Sequence, residues 1–160
     1  MVKQISDETL KCRIAEHILS ALPDWFGIPE NTARYVTESA HMPFWAYYND
    51  ESPVGFLALK EHGTYTMEIA VMGVLMEYHR KGIGRLLFDA ALSYCQEHGY
   101  EFMQVKTVDA GYYDEYDKTR MFYESMGFKK LEVFRTLWDK WNPCLVMVMN
   151  VNQEGMVHHI

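Results

Sequence analysis

The segment from Val74 to Arg85 holds the residues whose types and spacing point most directly to chemistry. It reads VLMEYHRKGIGR, an apolar strand end followed by a short basic loop and two glycines. The first amides of a helix lack partners within the helix and carry partial positive charge. Glycine lets a ligand approach the backbone closely, and Arg80, Lys81 and Arg85 add positive charge. The sequence therefore predicts a phosphate-binding turn at this point.

A packing role for the two glycines is the alternative that the sequence leaves open. Gly82 and Gly84 could serve only to let a helix lie close to a strand. The segment is not a Walker loop, because the pattern GxxxxGK[ST] is absent. It is not a dinucleotide fingerprint either, because Leu87 stands where GxGxxG needs its third glycine.

A second segment concentrates the opposite charge. Residues 109–117 read DAGYYDEYD, which places four carboxylates and three tyrosines within nine residues. Carboxylates beside aromatic faces suit an ammonium group or a polyamine. The alternative is a solvated loop that leads into a helix whose first turn carries Asp and Glu.

Hydrophobic periodicity predicts the elements that must hold these segments. Apolar side chains at steps of three and four predict a helix over 82–98, directly after the glycine turn. Further helices are predicted at 7–22, 30–39 and 116–126, with Asp7 as an N-cap. Strands are predicted at 1–5, 43–48, 54–60, 64–74, 102–108, 128–134 and 145–151. The last two strands are expected to flank a loop that contains Trp138, Trp141 and Pro143.

The order β-α-α-β-β-β-α-β-α-β-β predicts an α/β (α+β) fold. It has too few βα alternations for a doubly wound nucleotide-binding fold. We expect a single mixed, mostly antiparallel central sheet with helices on both faces. The length of 160 residues is typical of one domain, which we expect to span residues 1–160.

Composition limits the partners. Lys plus Arg is 15 and Asp plus Glu is 22, and the net charge of −7 argues against a nucleic-acid binder and fits a cationic substrate. Three cysteines without a CxxC pair, and no HExxH, predict neither a disulfide framework nor a metal site. Without an apolar run near roughly 20 residues or a basic, apolar leader, we expect a cytoplasmic protein with no membrane partner.

Two motifs resemble the GNAT family of acetyl-CoA-dependent N-acetyltransferases. The strand–loop–helix segment around Gly82 and Gly84 is similar to the family's motif A, whose signature is [Q/R]xxGx[G/A]. Residues 122–128, FYESMGF, resemble the family's FYxxxGF helix-to-strand junction. The predicted element order also matches the family fold over essentially the whole chain. One departure is that His79 occupies the Gln or Arg position of motif A.

The resemblance implies a site for acetyl-CoA, with no metal. Backbone amides of the loop and the helix start would hold the pyrophosphate. The family's pantetheine arm inserts where the fourth strand splays from the fifth, and pairs with strand backbone. In this sequence the implied residues are Val74, Leu75 and Met76 for the arm, and Arg80, Lys81, Gly82, Ile83, Gly84 and Arg85 for the phosphates.

The resemblance also implies two catalytic residues. Tyr123 matches the tyrosine that protonates the departing thiolate in many relatives; the alternative is a core aromatic, a role for which Phe122 is the better candidate. Glu68 is the only acidic residue in the 64–74 strand, at the offset from motif A of a catalytic glutamate in the histone acetyltransferase branch. Burial in an apolar strand would raise its pKa and suit a general base acting through water. The alternative is a carboxylate that pairs with a cation.

Three segments of this sequence match those that line the family's acceptor site. They lie between the first two helices, after the fifth strand and in the last hairpin. The candidate acceptor-binding residues are Trp25, Phe26, Asp109, Tyr112, Tyr113 and Trp138. The alternative for Trp25 and Phe26 is that they staple two helices together.

Three functions remain open from the sequence. The first is an N-acetyltransferase, an acyltransferase acting on a primary amine such as a small cationic metabolite, a polyamine or an antibiotic. The second is the same chemistry on a protein or peptide. The third is a non-catalytic acyl-CoA-binding module. A homodimer is compatible with all three.

Overall fold

The computed structural model describes residues 1–23, 29–109, 114–139 and 142–152, and its element order is the predicted one. Four α-helices and seven strands occur in these ranges. Their bounds are β1 (Val2–Ile5), α1 (Glu8–Ser20), α2 (Pro29–Ser39), β2 (Phe44–Asn49), β3 (Ser52–Glu61), β4 (Thr66–Val74), α3 (Ile83–Glu97), β5 (Phe102–Val108), α4 (Asp114–Met126), β6 (Lys129–Asp139) and β7 (Asn142–Asn150). A 3-10 turn, Met76–Tyr78, lies between β4 and α3.

The strands follow the order β1-β2-β3-β4-β5-β7-β6 in one seven-stranded sheet. The pairs β1–β2, β2–β3, β5–β7 and β6–β7 are antiparallel, whereas β4 and β5 are parallel. This confirms the predicted mixed, mostly antiparallel α/β fold. No helix in the described ranges is long and apolar enough to cross a membrane.

The chain divides into two compact units. The first combines Met1–Lys60 with Ile69–Tyr94, and the second combines Glu61–Glu68 with Cys95–Ile160. Strand β4 contributes its first residues to the second unit and the rest to the first. The single domain expected over residues 1–160 therefore stays a prediction.

In the first unit, helix α1 packs closely against β4. The Asp7 side chain accepts a hydrogen bond from the Leu10 amide at 2.9 Å and caps the helix, as predicted. Ile18 of α1 is fully buried. A Cβ atom at Gly73 would lie 3.0 Å from Leu22 Cδ1 and 3.2 Å from Ile18 Cγ2. A larger residue at this position of β4 would push Leu22 or Ile18 away by a few tenths of an ångström.

Helix α3 is held against β3 in the same unit. A Cβ atom at Gly55 would lie 3.2 Å from Ile83 Cγ2 and 3.3 Å from Leu87 Cδ1. Ile83 is the first residue of α3, and both Ile83 and Leu87 are buried. Gly55 of β3 therefore allows the start of α3 to pack closely against the strand.

The core of the second unit lies between β5, β7 and α4. Met103, Leu145 and Met147 are fully or almost fully buried. Helix α4 ends at Met126; Gly127, which follows it, has a φ of 111°, and the Phe128 amide donates to the Tyr123 carbonyl oxygen at 3.1 Å. The chain then turns directly into β6.

The prediction of a loop between residues 134 and 145 is wrong, because β6 and β7 extend into this segment. Trp138 lies on β6 and Pro143 on β7, whereas Trp141 lies outside the described residues. Strand β6 is at the edge of the sheet and mostly exposed, so its sequence lacks the alternation of a half-buried strand. Its pairing with β7 is irregular between Phe134 and Asp139. Trp138 lies in that irregular stretch.

Burial protects two of the three cysteine thiols. It raises the pKa of Cys95 from about 9 to about 12 and that of Cys144 to about 11. At pH 8 both thiols are protonated in the folded protein, and since the thiolate is the nucleophile, we expect a disulfide reagent to modify only Cys12. Counting thiols that react before and after denaturation tests this prediction. Fast reaction of two thiols in the folded protein would contradict it.

The same shifts give these thiols a signature in the free energy of unfolding. The unfolded chain releases the Cys95 proton near pH 9, and the folded chain only near pH 12. The stabilising effect of the neutral thiol is therefore complete below pH 9 and is lost as the pH rises toward 12. We expect the free energy of unfolding of Cys95→Ala to fall less steeply between pH 9 and about 12 than that of the unmodified chain.

Candidate active site

The chain turns tightly as it leaves β4 in the first unit. The Leu75 amide donates to the Val54 carbonyl oxygen at 2.9 Å, which ties the strand end to β3. The Tyr78 amide donates to the Leu75 carbonyl oxygen at 2.9 Å, and the His79 amide to that of Met76 at 3.1 Å. These bonds form the 3-10 turn that leads into the basic loop.

Gly82 caps the start of α3 in a conformation that favours glycine. Its φ is 78°, and its carbonyl oxygen accepts the first helical hydrogen bond, from the Leu86 amide at 3.1 Å. The amides of Ile83, Gly84 and Arg85 therefore have no partner within the helix. A Cβ atom at Gly82 would have no atom within 4 Å. Backbone conformation, and not close packing, explains the glycine at position 82.

Positive charge surrounds this helix start. Arg80 and Lys81 are exposed, and Arg80 has a φ of 63°, in the left-handed region. Arg85 is also exposed, and its Nε lies 3.5 Å from Oδ1 of Asp89 one turn later, so part of its charge is compensated. Helix amides, a glycine cap and two exposed cations form the type of arrangement that binds phosphate.

His79 holds the loop through its side chain, a contact that the sequence did not reveal. Its Nε2 lies 2.6 Å from the carbonyl oxygen of Val74, the last residue of β4. Because a carbonyl oxygen can only accept, Nε2 carries the proton. The neighbouring Tyr78 hydroxyl accepts from Asn49 Nδ2 at 2.9 Å, at the turn between β2 and β3. The loop is thus fixed at two points.

The resemblance places the phosphates of CoA at this loop, so we expect His79→Ala to weaken CoA binding about fivefold, because a hydrogen bond of about 1 kcal/mol no longer holds the loop. His79→Gln keeps an amide donor at a similar reach and should bind within about twofold of the unmodified chain. Isothermal titration calorimetry measures both dissociation constants. Equal affinity of the alanine variant and the unmodified chain would show that the bond does not shape the loop.

Glu68 lies in a polar cluster of the second unit. The first three residues of β4, Thr66–Glu68, pair in parallel with Phe102–Gln104 of β5. The Glu68 side chain is 10% exposed, and its Oε1 lies 2.6 Å from His62 Nε2 and 3.3 Å from Lys106 Nζ. Gln104 Nε2 donates to the same oxygen at 3.1 Å. The carboxylate is both buried, as predicted for a base, and paired with a cation, as the alternative predicted.

The three partners of Glu68 were missed by sequence reasoning. Gln104 and Lys106 are two residues apart on β5, so they lie on one face of a strand that is apolar apart from them and Thr107. That polar pair was the available signal for a buried acid opposite them. His62 had no signal, because the turn between β3 and β4 brings it to Glu68.

Tyr123 lies inside α4 with its side chain buried. It is 6% exposed, and its ring packs edge to face against Phe122 and Phe128, each with a centroid separation of 5.6 Å. Phe122 is only half-buried, so the prediction that Phe122 is the better core residue is wrong. The side of α4 that carries Tyr123 is the one that packs inward. Its role as an acid stays a prediction.

Only part of the predicted acceptor site lies in the described residues. Trp25, Phe26, Tyr112 and Tyr113 lie outside them. Asp109 is half-buried at the end of β5, and its amide donates to the Pro143 carbonyl oxygen at 3.0 Å. Trp138 is 45% exposed on β6.

The acidic segment at 109–117 is partly the start of a helix, as its alternative predicted. Helix α4 begins at Asp114, and Asp117 Oδ1 accepts from Arg120 NH1 at 3.1 Å. At least one carboxylate of the segment is therefore used within the helix.

The two units divide the predicted site residues between them. The loop and the start of α3 belong to the first unit, and Glu68, Tyr123, Asp109 and Trp138 belong to the second. Within the described ranges, no group of three His, Cys, Asp or Glu side chains could hold a metal ion.

Comparison with known proteins gives one family. The family model described as "Acetyltransferase (GNAT) domain" matches residues 40–130, more than half of the chain. An uncharacterized N-acetyltransferase, YsnE of Bacillus subtilis (strain 168), is 30% identical over 91 residues. That match covers 57% of this chain and 58% of YsnE, so the chain spans a little over half the length of this curated relative.

Solved structures with low sequence identity share the fold. A GNAT-family protein from Desulfovibrio desulfuricans has a TM-score of 0.82 at 16% identity, over 94% of this chain and 98% of its own. An aminoglycoside 6'-N-acetyltransferase complexed with coenzyme A has a TM-score of 0.75 at 17% identity, covering 96% and 98%. The ribosomal-protein-S18-alanine N-acetyltransferase of Escherichia coli has a TM-score of 0.74 at 16% identity over the full length of both. The matched family model, which includes the loop at Gly82, means that this chain belongs to the GNAT acetyltransferase family.

Proposed function

We propose that the protein is an acetyl-CoA-dependent N-acetyltransferase that acts on a primary amine by direct transfer. The observation that carries the proposal is the phosphate-type turn at Gly82, which lies inside the segment matched by the family model. The acceptor we favour is a small cationic metabolite, a polyamine or an antibiotic. The net charge of −7 supports it, since an acidic surface attracts cations.

The loop and the start of α3 suit the phosphates of acetyl-CoA. The amides of Ile83, Gly84 and Arg85 would donate to the pyrophosphate, and Arg80 and Lys81 would neutralise its charge. The backbone of Val74, Leu75 and Met76 would pair with the pantetheine arm, as strand edges pair with extended ligands. Bound acetyl-CoA supplies an acetyl group activated as a thioester.

Two side chains of the second unit would move the protons. The amine nitrogen must be neutral to attack, so Glu68 takes its proton, directly or through water. A C–N bond to the acetyl carbon forms and the C–S bond breaks, while a backbone amide near Met72–Val74 stabilises the developing oxyanion. Tyr123 gives its hydroxyl proton to the departing sulfur. The acetylated nitrogen then releases its second proton, which restores the Tyr123 hydroxyl directly or through solvent, and solvent receives the proton held by Glu68.

A protein or peptide acceptor is the second candidate. The exposed apolar side chains on β6, Leu131 at 62%, Leu137 at 53% and Trp138 at 45%, favour it, because they suit an extended polypeptide better than a small polar amine.

Calorimetry with CoA and a thiol-release assay with acetyl-CoA test the proposal together. The amine panel contains polyamines, aminoglycosides, amino acids and short peptides. Turnover with a small amine supports the favoured acceptor, and turnover with peptides alone supports the second. Binding of CoA without turnover on any amine would leave a non-catalytic acyl-CoA-binding module. No binding of CoA at high micromolar concentration would overturn the proposal.

The two exposed cations of the loop allow a matched test of the phosphate site. We expect the double variant Arg80→Gln/Lys81→Gln to weaken CoA binding about tenfold at low salt, and less at high salt because salt screens exposed charges. The control Lys129→Gln/Lys130→Gln removes the same charge from exposed positions on β6. Equal losses in both double variants would indicate only a general effect of net charge.

A further inference from the structure

One oxygen of the Glu68 carboxylate contacts three donors, which come from two segments of the chain. His62 approaches from the turn between β3 and β4, and Gln104 and Lys106 approach from β5. All three contacts end on Oε1, and that of His62 is the shortest at 2.6 Å. The three rotatable bonds of a glutamate side chain are thereby restricted to one orientation.

The chemistry of the donors assigns the proton on His62. The ammonium of Lys106 and the amide nitrogen of Gln104 can only donate, so Oε1 acts as an acceptor. An ionised carboxylate accepts only, and His62 Nε2 must then carry a hydrogen. This holds for the neutral ring protonated at Nε2 and for the cationic ring. His62 is therefore a donor toward Glu68.

A backbone hydrogen bond closes the turn that carries His62. The His62 amide donates to the Thr66 carbonyl oxygen at 2.8 Å and closes the turn, which contains Gly63 with a φ of 83°. The His62 side chain is 33% exposed, whereas that of Glu68 is 10% exposed. The turn thus presents a donor to a buried acid that also accepts from two residues of β5.

We propose that His62 is a positioning residue for acetyl transfer, which holds Glu68 by the Nε2–H···Oε1 bond so that Oε2 faces the proton to be removed. This inference rests on the proposed function, in which Glu68 is the base. Fixed orientation of a base raises the rate of the chemical step, because less of the orientation has to be gained in the transition state. His62 touches neither the amine nor acetyl-CoA in this role.

Steady-state kinetics on two variants separates positioning from binding. We expect His62→Leu to lower kcat about tenfold while the dissociation constant of CoA stays within about twofold of the unmodified chain. His62→Gln places an amide Nε2–H near the lost donor and should restore kcat to within about threefold. The control His41→Leu breaks another histidine–glutamate contact, the exposed 3.4 Å pair with Glu8, and should leave kcat unchanged.

A measurement without substrate tests the contact itself. In ¹⁵N NMR of the folded protein, His62 should carry its proton on Nε2, and Glu68→Gln should shift that resonance. A His62 ring protonated only at Nδ1 would overturn the inference even in an active enzyme. So would an unchanged kcat in His62→Leu, or a loss that glutamine fails to restore.

Failure of the proposed function itself is recognised in the unmodified chain and not in the variants. If the unmodified chain releases no thiol with any amine, the function falls and the positioning role falls with it, whatever the NMR shows. If His62→Leu does not fold, His62→Asn replaces it, because the shorter amide does not reach Oε1. The asparagine variant should show the same loss of kcat with unchanged CoA binding.

Discussion

Tyr123→Phe should lower the rate of acetyl transfer about 100-fold, because the departing sulfur then lacks its proton donor. The change removes one oxygen atom and keeps the ring that packs against Phe122 and Phe128. We therefore expect the ring packing to be kept and the dissociation constant of CoA to stay within about twofold. The loss should appear in kcat, measured by thiol release under saturating acetyl-CoA and amine.

A second tyrosine of the same unit provides the matched control. The Tyr100 hydroxyl donates to Glu61 Oε2 in an exposed pair. Tyr100→Phe removes the same atom and one hydrogen bond, and should leave kcat unchanged. A rate of Tyr123→Phe within about twofold of the unmodified chain would assign Tyr123 to the core alone, the role that its 6% exposure also allows.

Local signals were enough for the element order. The Asp7 cap, Pro29 at the start of α2 and Gly99 after α3 each act within a few residues, and each stands where the structure ends or begins a helix. Strand β5 was predicted at its exact bounds because its buried positions alternate. The edge strand β6 was predicted too short, since only one of its sides has a strand partner and most of its side chains are exposed.

The glycine turn and the start of α3 could be predicted from sequence because all their parts are consecutive. The contacts that hold the candidate site could not, because they join distant residues. Glu68 bonds to Gln104, 36 residues away, and Tyr78 to Asn49, 29 residues away. Such partners depend on strand register, which composition and periodicity do not give. His79 shows the same limit, since its bond to the Val74 carbonyl depends on the turn between them.

The uneven placement of charge carries more information than the net value of −7. Cations are exposed at Arg80 and Lys81, where phosphate would bind. In the second unit, the buried Glu68 carboxylate and the half-buried Lys106 ammonium compensate each other at 3.3 Å. A uniformly acidic surface would repel CoA, which is itself an anion. We therefore expect substitutions in the exposed basic turn to alter CoA binding.

Gly82→Ala should weaken CoA binding about tenfold. A residue with a Cβ atom at a φ of 78° is strained by roughly 1–2 kcal/mol, and no neighbour lies within 4 Å of that Cβ to add a clash. The free protein can relieve this strain by moving the turn. Binding of the phosphates requires the original turn, so the strain returns as lost affinity, and 1.4 kcal/mol corresponds to about tenfold. Calorimetry with CoA measures it.

Gly99, at the other end of the same helix, separates this effect from general destabilisation. Its φ is also 78°, and a Cβ atom there would likewise have nothing within 4 Å. Gly99→Ala should therefore lower the free energy of unfolding by a similar amount, because it imposes the same strain. It should leave the dissociation constant of CoA within about twofold, since no phosphate contact is proposed there. If both alanine variants bind CoA equally well, the conformation of Gly82 does not form the phosphate site.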